Sequence, residues 1–411
     1  MNKTQRISNI LFYLLSGFII IWISFFVGAG LDRVSWRILL GALFLNLILS
    51  FWARGKITKD IFKDKENLAL FLYIIFITIR IFSVKEKNLA LNSYWEYVLP
   101  APILFYLFRN QFILLSNKNY FPVFICICAS IVSIIAVLEF IYRKNVLYQH
   151  FFPNLFYADY LLRHRAMSTQ IIPLALGTYL TASLPSSFYL LNKESKFLKI
   201  LGIIFGITIL LGLISSCTKM ALGASIFSTV VYLFMNKKLL KIFLPLILIF
   251  IFSLNIFGYT ALERISFRNF FNPRNYIYRI PLMVTSIKMA RDYPFFGVGL
   301  GHYKLSFDSY GQPETPMPLK TPDNMYLMML CETGLLGFLA FIFFVYFLLK
   351  RAHSYIKLHK ENSMAISLFA VVIAILLCML TYDALYWFSP FCIFWIYCGM
   401  LASVINVKEQ C

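Results

Sequence analysis

The residues best equipped for chemistry in this chain form a basic set followed by one carboxylate. The set is Arg163, His164, Arg165, Lys219, Arg264, Arg268, Arg274 and Arg279, and the carboxylate is Asp323, in the run Thr321-Pro322-Asp323-Asn324-Met325-Tyr326-Leu327. An arginine donates in a fork that matches phosphate oxygens, so such a group can hold a diphosphate. Taken singly, each of these residues reads as a solvated loop charge or a lipid-headgroup contact; taken as a set, they favour a phosphate-bearing ligand. Lys219 is the most informative, because it stands between two apolar runs, where a charge is costly. Asp323 has two readings. It could accept a proton from a substrate hydroxyl, or it or Asn324 could cap the helix that begins after Pro322. As a base beside Arg and Lys, its pKa is expected to be depressed.

Two further stretches invite a chemical reading. Tyr293-Pro294-Phe295-Phe296-Gly297-Val298-Gly299-Leu300-Gly301-His302 is glycine-rich. No strand precedes it, so it is not a dinucleotide-binding loop. Its glycines are expected to permit a tight turn onto the membrane face. Glu332, Gly334 and Gly337 follow inside the next apolar run, where the glycines are read as helix-packing positions. His302 and Glu332 are the reserve candidates for a base.

The elements that must position these groups are membrane helices. Of 411 residues, 60% are hydrophobic and 14% charged, where a soluble domain carries about a quarter charged residues. Mean hydropathy is +0.75. The apolar runs are continuous rather than alternating, which excludes a β-barrel. A run needs about 20 residues to cross a ~30 Å hydrocarbon core. Spans are expected near 9–28, 34–52, 67–83, 93–108, 119–142, 169–191, 198–215, 219–235, 239–259, 325–349, 364–381 and 385–406. That divides the chain into spans one to nine (1–259), a long loop with short helices (260–324), and spans ten to twelve with a short tail (325–411). The first span is read as retained, since no small-residue cleavage site follows it. Helix-like patterning is expected around Tyr278–Arg291.

Charge orients the bundle. With the N-terminus inside, the inner segments hold Lys3 and Arg6; Arg54, Lys56, Lys59, Lys63 and Lys65; Arg109 and Lys118; Lys193, Lys196 and Lys199; Lys237, Lys238 and Lys241; and Lys350, Arg351, Lys357 and Lys360. This is the Lys/Arg bias of cytoplasmic loops, and it predicts both termini inside and 260–324 outside. The net charge of +20 is therefore largely a topology signal and gives no argument for nucleic acid. The eight cysteines offer no CxxC pair, and Cys126, Cys128, Cys378, Cys392 and Cys398 lie in apolar runs. They read as small packing residues, and no metal site is expected.

In order and spacing, Arg163-His164-Arg165-Ala166-Met167-Ser168-Thr169, Arg279, Lys288-Met289-Ala290-Arg291-Asp292-Tyr293-Pro294-Phe295-Phe296-Gly297-Val298-Gly299, Pro322-Asp323-Asn324-Met325-Tyr326-Leu327 and Glu332-Thr333-Gly334-Leu335-Leu336-Gly337 resemble the O-antigen ligase family. That family also includes polysaccharide polymerases and protein O-oligosaccharyltransferases. The resemblance runs from about 160 to 345. It implies an all-α, polytopic, GT-C-like membrane glycosyltransferase of a bacterial inner membrane. Such an enzyme moves a glycan from undecaprenyl diphosphate to a lipid A-core or growing glycan acceptor at the periplasmic face. The implied transfer is inverting and metal-independent and needs no cofactor. Residue by residue, the resemblance implies catalytic roles for Asp323, Arg279 and Lys219. It implies substrate binding by Arg163, His164, Arg165, Arg274, Asn324 and Tyr326. The family ligases have His-Asn where this chain has Asp323-Asn324, and Ser-Arg where it has Thr218-Lys219. A polymerase of the same family fits these features as well. A lipid-linked-sugar transporter or flippase would share the spans, but internal repeats and helices broken at midplane are expected there, and the sequence displays neither.

Overall fold

The computed structural model describes residues 3–25, 33–54, 64–112, 119–144, 165–236, 279–310 and 321–406. Among them the chain is helical, with no strand. The longer helices are α1 (Lys3–Phe25), α2 (Arg33–Arg54), α3 (Lys65–Ile81), α4 (Lys87–Tyr97), α5 (Pro100–Gln111), α6 (Tyr120–Tyr142), α7 (Pro173–Leu191), α8 (Lys196–Ser216), α9 (Lys219–Met235), α10 (Arg279–Asp292), α11 (Tyr303–Phe307), α12 (Met325–Leu358), α13 (Ser363–Cys378) and α14 (Phe388–Ile405). Five of them, α1, α6, α8, α12 and α14, contain stretches long and apolar enough to cross a membrane, and shorter apolar stretches lie in α2, α9 and α13. The chain is thus organised as a polytopic helical membrane protein. The span expected at 239–259 lies outside the described residues.

Two expected spans are corrected. The run at 93–108 is two helices, because Pro100 opens α5 and cannot donate a backbone N–H to continue α4. The run at 169–191 becomes helical only at Pro173. Before it, Ser168 and Ile171 take positive φ values of 53° and 66°, which a helix cannot accommodate.

The outside of the bundle is apolar, as lipid requires. On α1, Ile7, Ile10, Leu14, Phe18 and Ile21 are exposed at helical spacing, and polar Ser8, Ser16 and Ser24 are buried. Helices α7 and α14 are buried along their length and form the centre.

Hydrogen bonds fix which helix ends share a side. At one end, Thr169 Oγ1 donates to the Ser24 carbonyl at 2.5 Å, and Glu139 near the end of α6 accepts from the backbone N–H of Ser168 at 2.6 Å. The Ala166 N–H reaches the Ser215 carbonyl at 2.9 Å. Tyr382, between α13 and α14, donates to Thr178 of α7 at 2.8 Å. The opposite end carries an ion-pair cluster. Arg351 lies 3.0 Å from Asp64 and 2.5 Å from Glu66, Arg109 pairs with Asp64, and Arg351 also donates to Asn406. Gln111 donates to Ser8 there, at 2.6 Å. The start of α1 and the end of α14 therefore lie at the same end. Arg109 and Arg351, expected as ordinary loop charges, are instead partly buried partners of carboxylates, because a guanidinium at that depth needs a counter-charge.

Candidate functional site

The site is assembled where α12 begins. Asn324 is the N-cap: its side chain accepts from the Leu327 N–H at 3.1 Å. Its amide also donates to the Leu380 carbonyl at 3.1 Å, and the Met325 N–H reaches the Met379 carbonyl at 2.9 Å. These bonds tie the start of α12 to the loop between α13 and α14. The capping task is thereby filled, and Asp323 does not perform it. Asp323 sits in the left-handed region at φ 47°, a conformation that Asp and Asn tolerate better than most residues. Its carboxylate turns to Arg279, the first residue of α10, with Arg279 Nε 3.1 Å from Asp323 Oδ2. The two side chains are 34% and 21% exposed, so the pair is reachable from outside.

A second carboxylate, Asp383, lies close enough to act on Asp323 electrostatically. Asp383 is 9% exposed and accepts from Trp387 Nε1 at 3.2 Å. Burial raises the pKa of Asp323 above the ordinary carboxylate value. The Arg279 charge and hydrogen bond oppose that rise, and the negative charge of Asp383 adds to it. The expected depression is thus reversed, because desolvation outweighs the nearby cation. Asp383 is itself raised by burial. Sequence reasoning missed it. A signal was available: Asp383 is the sole charged residue between Ser363 and Asn406.

Arg165 and Lys219 share a turn at the same end. Arg165 Nε donates to the Ser216 carbonyl at 3.4 Å, and Lys219 opens α9 directly after the N-cap Thr218. Thr218 presses against Gly177, the neighbour of the Thr178 that Tyr382 contacts. The second turn of α7 therefore lies between the Lys219 turn and the loop that holds Asp383. Arg163, His164, Arg264, Arg268 and Arg274 fall outside the described residues. Tyr326 donates its hydroxyl to the Leu376 carbonyl of α13 at 2.8 Å, so in this state it acts as a tie between helices. Asn324, capping and cross-linking at once, is likewise committed to structure.

The glycine-rich stretch has a definite task. Helix α12 is broken at Gly334, which takes φ 63° and ψ −171°. The break leaves backbone groups that a helix would have paired. The 293–302 stretch takes them up: Val298 N–H donates to the Cys331 carbonyl at 2.8 Å and Gly299 N–H to the Glu332 carbonyl at 3.0 Å. In return, Leu335 N–H donates to the Pro294 carbonyl at 2.7 Å. Gly297, at φ 66°, lies so close that an added Cβ would meet the Glu332 backbone. Gly334 is therefore a breakpoint, whereas Gly337 does pack closely, against Phe76 of α3. Arg80 of α3 clamps the same stretch, donating to the Phe296 carbonyl at 3.2 Å and the Gly297 carbonyl at 2.9 Å.

Both reserve bases are engaged in this scaffold. His302 is buried, with Nδ1 2.9 Å from the Leu300 carbonyl and Nε2 accepting from Glu86 N–H at 3.3 Å. Glu332, 1% exposed, accepts from the Tyr303 N–H at 3.2 Å and from the Tyr386 hydroxyl. Asp323 differs from them in being reachable. A partly exposed carboxylate beside a guanidinium, with further basic residues at the same end of the bundle, can bind an anionic leaving group and accept a proton.

The comparison with curated proteins returns no match to this chain. A family model does match, over residues 203–342. That stretch spans α8 to the middle of α12, including Lys219, Arg279 and Asp323, and leaves Arg165 and Asp383 outside. The matching model is that of the O-antigen ligases, and over that third of its length the chain is similar to this family.

Proposed function

We propose that this protein is a membrane glycosyltransferase that moves a glycan from undecaprenyl diphosphate to a sugar acceptor at the periplasmic face. The observation that carries the reading is the Arg279–Asp323 pair at the mouth of the bundle, inside the stretch that matches the family. Asp323 takes the proton of the acceptor hydroxyl. The acceptor oxygen bonds to the anomeric carbon as the bond from that carbon to the diphosphate oxygen breaks, inverting the centre. The electron pair leaves on undecaprenyl diphosphate. Arg279, whose contact with Asp323 is through Nε, has its outer guanidinium nitrogens for the diphosphate, and Lys219 and Arg165 add positive charge. The energy resides in the donor's glycosyl–phosphate bond, so the reaction needs neither nucleotide nor metal. Both termini are cytoplasmic in this reading, in keeping with the Lys/Arg bias of the short loops.

Ligase and polymerase differ only in the acceptor, lipid A-core in one and a growing glycan in the other. The transporter reading gains one feature it lacked in the sequence, since α12 is broken at Gly334. The freed backbone groups there are taken by the 294–299 stretch rather than lining a substrate cavity, which favours the enzyme. The test is reconstitution in vesicles without an ion gradient. Release of undecaprenyl diphosphate with glycan appearing on the acceptor is expected. Movement of intact lipid-linked glycan, with no transfer, would sink the reading.

A further inference from the structure

Helix α10 buries two hydroxyl residues and turns four large apolar side chains outward, the reverse of what a soluble surface helix does with such residues. Thr285 and Ser286 are fully buried, together with Leu282 and Met289. Both hydroxyls are satisfied inside: Thr285 Oγ1 donates to the Pro281 carbonyl at 2.9 Å, and Ser286 Oγ to the Leu282 carbonyl at 2.8 Å, with Tyr303 Oη also 2.8 Å away. The outward face holds Ile280, Met283, Val284 and Ile287, all exposed. Their spacing of three, four and seven residues makes one continuous stripe along the helix. A buried face that includes two satisfied hydroxyls, beneath an outward stripe of four large apolar side chains, is the arrangement of a helix whose solvent along that stripe is hydrocarbon.

Charge decides how the helix meets that solvent. Lys288, Arg291 and Asp292 are exposed in its second half, and hydrocarbon does not accept solvated charges at that density. A helix with an apolar stripe followed by exposed charges lies at the interface, with the stripe toward the acyl chains and the charges toward the headgroups. Its surroundings fit that position. The apolar surface continues past the end of α10 through exposed Tyr293, Phe295 and Phe296 to exposed Leu335 and Leu336 of α12. The strands of contact are the Leu335-to-Pro294 and Leu336-to-Phe295 hydrogen bonds. Phe296 also stacks on Phe76 of α3 at 6.1 Å. The exposed charges at the end of α10, Lys288, Arg291 and Asp292, are net positive, which suits the negative headgroups of a bilayer surface.

We infer that α10 is an interfacial helix whose Ile280–Met283–Val284–Ile287 stripe beds into bilayer lipid, so that Arg279 at its start is held at headgroup depth. The occupant is the acyl region of the leaflet at the site end. This holds whether or not the protein transfers glycans, and its test uses no substrate.

The test places a bimane label on Ile287→Cys, and separately on Val284→Cys, in the full-length protein reconstituted in phosphatidylcholine–phosphatidylglycerol vesicles. The native cysteines within the described residues are buried, and the unsubstituted protein sets the background. Ser309→Cys, at an exposed position, is the water-facing control. Dibrominated phosphatidylcholine should remove most of the emission at 287 and at 284 and little at 309, while aqueous iodide should do the reverse. Emission at 287 and 284 that responds to iodide as strongly as at 309 would overturn the inference, as would emission quenched by neither agent. Bromolipid quenching abolished by added undecaprenyl phosphate would assign the stripe to the carrier's tail and overturn it as well. Two positions are used so that one poorly inserting variant does not decide the outcome.

Discussion

Arg279 and Asp323 meet at 3.1 Å because Asn324, and not Asp323, caps helix α12. The division of labour between two adjacent residues separates chemistry from folding. Asp323→Asn keeps a side chain suited to the left-handed backbone at φ 47° and removes only the charge. It should abolish most glycan transfer in the reconstituted assay with unchanged expression and unfolding temperature. Asp323→His should retain some transfer, since it restores the family residue. Asn324→Ala should instead cost about 1 kcal/mol of stability, the usual worth of an N-cap, read as a lower unfolding temperature in detergent. A fully active Asp323→Asn protein would remove Asp323 as the base.

In the proposed reaction Arg279 holds a carboxylate and a diphosphate together, which requires the guanidinium fork. Arg279→Ala should nearly abolish transfer, while Arg279→Lys should recover only part, because the point charge remains and the fork does not. Lys219→Arg should be tolerated or should raise the rate, since it restores the family residue beside Thr218. Turnover of Arg279→Ala at the normal rate would exclude it from the site.

The pH profile carries the signature of the second carboxylate. Asp323 must be ionised to accept a proton, and its pKa lies above the ordinary carboxylate value because of burial, with Asp383 adding to the rise. The acid limb of kcat/KM should therefore fall above that ordinary value. Asp383→Asn removes a negative neighbour, so it should move the limb to lower pH. The linked effect on stability has a definite sign. A raised folded-state pKa means that the folded protein binds the proton more tightly than the unfolded chain. Asp323 should thus lower stability progressively as pH rises from the ordinary value through the raised one. An acid limb unmoved by Asp383→Asn would show that the two carboxylates are uncoupled.

The parts of this protein legible in its sequence were those governed by solvent. Continuous apolar runs mark α1, α6, α8, α12 and α14 because lipid imposes a length and forbids unpaired backbone. Breaks inside runs were harder to read. Pro100 divides an expected span, and Ser168 and Ile171 delay the start of α7, because both depend on local backbone geometry that hydropathy averages away. Among the candidate site residues, Asp323, Arg279, Lys219 and Arg165 are visible in the sequence as charges near apolar runs. The cap could not be apportioned between Asp323 and Asn324, since either side chain can accept the same N–H. The sign of the Asp323 shift failed for a related reason: neighbouring charges can be counted in a sequence, but burial cannot. Tyr326 and Asn324 were given to substrate by resemblance, whereas their hydrogen bonds to Leu376 and Leu380 arise from helix packing that no local motif encodes.

Orientation in the membrane rests on the loop charges, and it has a direct check. The structure brings the start of α1 and the end of α14 to one end of the bundle and the Arg279–Asp323 pair to the end shared by Thr169 and Ser24. A cysteine at Ser309 in intact cells should react with an impermeant thiol reagent from the periplasmic side. Labelling only after the membrane is opened would invert the topology and put the site in the cytoplasm.

The break in α12 makes the sharpest prediction about folding. Gly334 at φ 63° and ψ −171° occupies a region that is essentially restricted to glycine, with strain of about 1–3 kcal/mol for other residues. An added Cβ would also meet the Phe295 backbone, which is held by its own hydrogen bond to Leu336 and cannot retreat. Gly334→Ala should therefore destabilise by more than that conformational term alone. Gly223 offers the contrast, since nothing lies near its Cβ position within α9. There, alanine should stabilise by up to about 1 kcal/mol through helix propensity. The two variants, compared by thermal unfolding in the same detergent, should move in opposite directions. The destabilised Gly334→Ala protein should also lose transfer, because the 294–299 stretch that docks on the break links α10, and hence Arg279, to the start of α12. Equal unfolding temperatures for Gly334→Ala and the unsubstituted protein would mean that α12 can close into a continuous helix, and that the glycine-rich stretch is held by something other than the break.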